Sequence, residues 1–333
     1  MLGKKVGIDL GTSTTRLVAK GEGIIASEPT VVSAHQRGDA HTGLFGAAAL
    51  ENAAADPDLH LSRPVSGGAV VDIGGARALI SQLIARAVGR QRIFKPDVVI
   101  AVMSAMAGDE RRALLEAATL AGARTVYLLD APIAAAMGAG MRLSGPNGHL
   151  VIDVGAGKTE VAVLAMEGTI AGRCLGGHGG EGLATAVIAH VRGEHGVELS
   201  RPVVEDILAS LARVGPHEER RLEVQGGQGA GDTTVSITST ELATCLEDHV
   251  RPITSALDEV LSDTPSALRD DIAREGGILT GGGARLEGLE RSLSTAAGFE
   301  IRVDGEPQLC AVRGTGYALD NLDVLKRTFM YIR

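Results

Sequence analysis

The chain has 333 residues, 44% hydrophobic and 22% charged, which is enough for two domains of ordinary size. Aromatic residues make up 2% with no Trp, so the interior has to be built from Ala, Val, Leu and Ile. A formal net charge of -9 argues against nucleic-acid binding, and three widely spaced cysteines, Cys174, Cys245 and Cys310, match neither a disulfide framework nor a zinc site. They point to a reducing cytoplasm and three inert, buried thiols.

In chain order, "MLGKKVG" leads into a strand without the long apolar core of a signal peptide. The longest apolar run, residues 98–107, is too short for a membrane-spanning helix. "IDLGTSTTRLVA" at residues 8–19 reads as a strand, a tight turn and a returning strand, with Asp9 just ahead of the glycine turn. Residues 33–64, rich in Ala, His, Asp and Gly, read as a small insertion. "GRQRIFKPD" sets Ile93 and Phe94 among Arg90, Arg92 and Lys95, a pattern suited to a loop that dips into an anionic lipid surface. The stretch beginning "VVIAV" then reads as strand, turn, helix and strand, with Leu114, Leu115, Ala118 and Ala121 at helical spacing.

The plan then repeats. "IDVGAGKTEVAV" at residues 152–163 shares with the first hairpin Ile-Asp-x-Gly, a small-residue tip, a Thr at the same offset and alternating apolar residues. Its Gly157, Lys158 and Thr159 imitate the end of a P-loop, but that pattern needs a glycine where Ile152 stands. Residues 181–250 read as a larger insertion with helices over 183–191 and 203–214, followed at 224–237 by a glycine-rich flexible turn leading to a short strand. "GGILTGGGARLEGLERSLSTAAGFEIRVDGEP" repeats the strand, turn, helix and strand unit, with Leu286, Leu289, Leu293 and Ala297 in helical register. A short helix is expected after both Pro132 and Pro307. The chain therefore reads as two copies of one α/β unit: residues 1–32, 65–145 and 311–333 in the first, residues 146–180 and 251–310 in the second.

An acid followed by glycine and hydroxyl residues in a hairpin tip suits nucleotide chemistry. Backbone N–H groups meet phosphate oxygens while the carboxylate holds the waters of Mg²⁺. Asp9 with Gly11, Thr12, Ser13 and Thr14 makes one such tip; Asp153 with Gly155, Ala156, Gly157, Lys158 and Thr159 makes the other. Gly281, Gly282 and Gly283 add a third turn that a phosphate or adenine can approach closely.

With "GIDLGTSTT", "EPTVV", "FKPDVVIAV", "ERRALLEAATLAGARTVYLLDAPIAAAMGAG", "GHLVIDVGAGKTEVAVL" and "ILTGGGARLEGLE", the chain resembles the actin and sugar-kinase ATPase superfamily over nearly its whole length, and within it the MreB family of bacterial actin homologues. The resemblance implies an α/β fold of two duplicated actin-like, ribonuclease H-like domains about a nucleotide cleft, with residues 33–64 and 181–250 as the small subdomains. It implies ATP and Mg²⁺ as cofactors, Asp9 and Asp153 reaching the metal through water, and cleft closure that sets the contact between filament subunits. It further implies a cytoplasmic protein lying on the inner membrane face through Leu2, Ile93 and Phe94, and partnered by itself, in filaments, and by cell-wall synthesis and morphogenesis proteins.

Departures from the family pattern bear on turnover. Where the family has Glu-Glu-Pro, this chain has "LLDAP", so the water-orienting acid is replaced by Ala131; the first Thr of the second tip is replaced by Lys158. Loss of such groups costs about 10² to 10⁴ in rate, so weak or absent hydrolysis is expected. Asp130, one residue earlier on a strand, is expected to face the other way. Four roles are open to Lys158: holding ATP as a point charge, replacing part of the metal's charge, filling the site, or swinging out to solvent. Glu181 takes the family's Asp position at the start of the larger insertion, and Glu205 with Leu208 takes that of the Glu-x-x-Lys beside sugar and base. The rivals are an active slow ATPase and a non-polymerising nucleotide-binding scaffold; a sugar kinase is disfavoured for want of a carbohydrate site with a catalytic Asp.

Overall fold

The structure, a computed structural model, describes residues 3–35, 41–56, 58–89, 94–227, 233–322 and 330–332. Strands β1 (Lys5–Leu10), β2 (Thr14–Ala19) and β3 (Gly23–Pro29) form an antiparallel meander. The insertion expected at 33–64 is built from β4 (Val32–His35), β5 (His41–Phe45), α1 (Gly46–Ala55) and β6 (Leu59–Ser62), its sheet running β5-β4-β6. A short hairpin, β7 (Val65–Ser66) and β8 (Ala69–Val70), leads to α2 (Ile73–Val88). Asp72 caps that helix by accepting the Gly75 N–H at 2.8 Å. Then come β9 (Asp97–Val102), α3 (Gly108–Leu120), β10 (Thr125–Asp130) and α4 (Ala131–Gly138). Every residue of β9 is buried, as a central parallel strand covered on both faces requires. Leu114, Leu115, Ala118 and Ala121 face this core.

The next stretch supplies β11 (His149–Val154), β12 (Lys158–Ala165), β13 (Gly168–Gly176), α5 (Gly180–His195), α6 (Arg201–Ser210), β14 (Arg221–Gly226), β15 (Thr233–Thr238), α7 (Ser239–Asp263), α8 (Ser266–Glu275), β16 (Gly277–Thr280), α9 (Leu289–Ala297) and β17 (Ile301–Val303). The last elements are α10 (Cys310–Asp320) and β18 (Met330–Ile332). The chain divides into two compact units, Met1–Gly145 with Leu309–Arg333, and Pro146–Gln308.

The first unit's sheet runs β18-β10-β9-β1-β2-β3 and the second's β13-β12-β11-β16-β17. Each has a three-stranded antiparallel meander whose first strand continues into two parallel neighbours, so the duplicated sequence has become a duplicated topology. In the first unit α10 packs on α4 through two glycines. A Cβ on Gly138 would stand 1.8 Å from the Cys310 carbonyl oxygen, and one on Gly314 would stand 1.8 Å from that of Ala134.

Two expectations need correction. Residues 224–226, expected within a flexible turn, belong to β14, which pairs with β15 in the register Val224↔Val235; residues 228–232 of that expected turn lie outside the described residues. Of the three thiols only Cys310 is fully buried, while Cys174 and Cys245 are partly exposed. Burial still raises both of the latter, Cys245 to about 11, so they stay protonated and unreactive.

Candidate functional site

In the first unit, residues 11–13 link β1 to β2. The Gly11 carbonyl accepts the Thr30 hydroxyl at 2.7 Å and the Ser13 carbonyl accepts the Thr30 N–H at 2.9 Å. A trans peptide points its N–H opposite its carbonyl, so the N–H groups of Thr12 and Thr14 turn away from Thr30 and outward from the tip. The Thr12 hydroxyl accepts the Gly68 N–H at 2.9 Å, tying the tip to the β7–β8 turn. Beneath it Thr15, fully buried, shares a 2.8 Å hydrogen bond with Thr30.

The second unit repeats the device. The carbonyls of Gly155, Ala156, Gly157 and Lys158 accept N–H groups from Gly180, Glu181, Gly177 and Gly155 at 3.0, 2.8, 2.9 and 2.9 Å. By the same geometry the N–H groups of Ala156, Gly157 and Lys158 point outward together, a concavity suited to an anion. Gly179 lies so close that a Cβ would stand 2.5 Å from the Ala156 carbonyl oxygen. Thr159, expected to meet nucleotide, is fully buried, and its hydroxyl donates to the His178 carbonyl.

The third glycine turn joins this second tip. Gly281 has φ +81°, and a Cβ there would stand 2.3 Å from the Val154 carbonyl oxygen and 2.9 Å from Asp153 Oδ1. A Gly283 Cβ would meet Val154 Cγ1 at 2.4 Å, while Gly282 faces open space.

The ionic surroundings of the two acids are the least expected feature. Asp9 lies opposite Arg16 in the β1–β2 ladder, with its Oδ2 3.7 Å from the guanidinium. Asp153 lies opposite Glu160 in the β11–β12 ladder, and Lys158 ion-pairs with Glu160. The Lys158 side chain is 12% exposed, so it is turned inward and not out to solvent. Asp153 Oδ1 accepts the Thr280 hydroxyl at 2.9 Å. Burial pushes the Asp153 carboxyl above its usual range, against the pull of Lys158 and of the Thr280 hydrogen bond. Asp9 thus has Arg16 across the ladder, and Asp153 feels the pull of Lys158 while Thr280 engages its Oδ1. A divalent ion does not fit such surroundings well.

The expected hydrolytic positions carry no base. Ala131 opens α4 rather than continuing the strand, so strand alternation is not what withholds Asp130. Asp130 is instead held by Arg111 at 2.7 Å, and Arg111 is fixed by the carbonyls of Ser104 and Met106 at 3.0 and 3.1 Å. Glu181 sits in the first turn of α5, and Glu205, on α6, pairs with Arg201 at 3.0 Å. Phe94 is 49% exposed, and a Cβ on Gly3 would stand 2.8 Å from the Lys95 carbonyl oxygen, so the start of the chain runs beside this loop. Leu2 and Ile93 lie outside the described residues.

Sequence reasoning missed the pair His178 and His249, whose rings lie 4.8 Å apart behind the second tip. A Cβ on Gly182 would stand 2.2 Å from the His249 ring. The only signal was a His inside the glycine run "GGHGGEG".

The profile of the MreB/Mbl protein family matches residues 3–327. "Cell shape-determining protein Mbl" of Bacillus subtilis (strain 168) is 30% identical, covering 98% of this chain and 99% of its own. "Cell shape-determining protein MreB" of Escherichia coli (strain K12) is 32% identical, covering 97% and 95%. Among solved structures, MreB5 of Spiroplasma citri bound to ADP superposes with a TM-score of 0.88 at 24% identity, covering 98% of this chain and 99% of that one. The MamK double helical filament superposes at 0.78 with 19% identity, covering 95% and 98%. Both share the actin-like fold.

Proposed function

The chain belongs to the MreB/Mbl protein family, and we propose that it is an actin-like cytoskeletal protein that binds ATP and assembles with copies of itself into filaments on the inner face of the cell membrane. There it organises cell-wall synthesis and cell shape together with morphogenesis proteins. The observation that carries nucleotide binding is the tip present in both units, whose carbonyls are engaged by the protein so that its N–H groups face outward. Solved relatives are consistent with it: MreB5 of Spiroplasma citri is bound to AMPPNP or ADP, and MamK forms a double helical filament.

Hydrolysis in this reading is weak or absent. Ala131 has no group to move a proton, Asp130 is committed to Arg111, and Lys158, in the place of a Thr, is committed to Glu160. Membrane attachment rests on the exposed Phe94 and the chain start beside it, a small anchor that a filament multiplies.

Sedimentation of the purified protein with ATP, with AMPPNP and without nucleotide tests the reading. Pelleted polymer with either nucleotide supports it; no polymer in any condition, with nucleotide still bound, contradicts it in favour of a non-polymerising scaffold.

A further inference from the structure

The second tip differs from the first in where its cation stands. In the first, Arg16 lies directly across the ladder from Asp9. In the second that cross-strand place is taken by another acid, Glu160, and the positive charge has moved two residues back to Lys158, onto the tip itself. Residues two apart on a strand share a face, so Asp153, Glu160 and Lys158 point to the same side of the sheet. The Glu160 side chain is 1% exposed and Asp153 is 8% exposed, so both are screened little by water. The ammonium is therefore held by the buried Glu160 carboxylate, within electrostatic reach of Asp153, beside the outward N–H groups of Ala156, Gly157 and its own residue. An ammonium carries three donors and no acceptor, so one such group is able to bond both a carboxylate and a phosphate oxygen.

The Asp153 carboxylate is already engaged: Thr280 donates to its Oδ1 at 2.9 Å, and Lys158 exerts a positive pull on it. Mg²⁺ also keeps most of its waters in a near-octahedral shell, which needs room.

We propose that Lys158, anchored by Glu160, supplies as a tethered ammonium the positive charge that a divalent cation would bring to the phosphates at this tip, so that adenine nucleotide binds without a divalent metal. The inference rests on the nucleotide-binding reading above.

Equilibrium binding of ATP to the full chain, measured with Mg²⁺ and again with EDTA, tests it. The wild type is expected to change affinity by less than about threefold between the two conditions. Lys158→Thr is expected to lose about tenfold or more in EDTA, while Lys158→Arg, which keeps the charge, stays close to wild type in EDTA. Lys158→Thr combined with Glu160→Gln removes the buried unpaired acid if the single variant folds poorly. Wild-type binding that appears only with Mg²⁺ overturns the tethered-cation role and leaves nucleotide binding standing. No binding in either condition overturns both. Metal-independent binding that survives Lys158→Thr overturns the assignment to Lys158.

Discussion

Lys158 forms an ion pair with Glu160, and Glu160 stands directly across the β11–β12 ladder from Asp153. Breaking a buried pair by removing one partner leaves the other charge desolvated and costs about 3–5 kcal/mol, so this cluster is fixed by its surroundings rather than adaptable. Lys158 stands where the family resemblance implies a hydroxyl.

Restoring the missing groups is expected to restore turnover only when both are changed. Lys158→Thr alone, with Ala131 unchanged, should leave phosphate release near background. Ala131→Glu with Lys158→Thr should raise it on the order of 10²-fold, as expected for a regained water-positioning group. Single-turnover phosphate release with radiolabelled ATP measures this; an equal gain from the Lys158 change alone would contradict it.

Glycine substitutions separate packing from ligand contact in the third turn. Gly281→Ala combines a positive φ with a Cβ 2.3 Å from the Val154 carbonyl oxygen, and should destabilise the second unit by about 3 kcal/mol. Gly282→Ala meets open space and should cost less than about 1 kcal/mol while still weakening nucleotide binding. Urea denaturation beside a nucleotide titration distinguishes them.

Acid should loosen the second unit. Burial first, and His178 second, hold the His249 imidazole below its usual value, so the unfolded chain takes up the proton more readily than the folded one. Stability is then fully present above the ordinary histidine pKa of about 6.5 and is lost as pH falls from there through the folded value. The melting temperature should drop on going from pH 7.5 to 5.5, and His249→Gln should flatten that part of the profile. An unchanged slope in the variant would remove His249 as the cause.

Phe94 should matter to lipid and not to folding. At 49% exposure, Phe94→Ser should shift stability by less than about 0.5 kcal/mol. Co-sedimentation with anionic liposomes should fall several-fold in the same variant. Equal liposome binding by the variant would leave this loop without a membrane role.

Internal comparison of the sequence recovers the architecture because each repeated motif maps onto one repeated element. The paired hairpins became β1–β2 and β11–β12, and the paired strand-helix-strand stretches became β9-α3-β10 and β16-α9-β17. The insertions were legible as insertions but not as sheets, since short strands such as β4 and β14 carry little alternation of their own. At the site, residue types and order were legible, but pairings were not. Thr159 could not be assigned to His178, nor Asp130 to Arg111, because those partners are 19 residues away and meet only through sheet register and helix packing. The inward turn of Lys158 depends on Glu160, which in sequence reads as an ordinary strand residue.

The most direct test of the account is electron microscopy of the protein on anionic liposomes with and without ATP, with phosphate release measured on the same sample. Membrane-bound filaments that need ATP and release negligible phosphate are expected. Rapid release from the wild type, unchanged by Lys158→Ala, would contradict it.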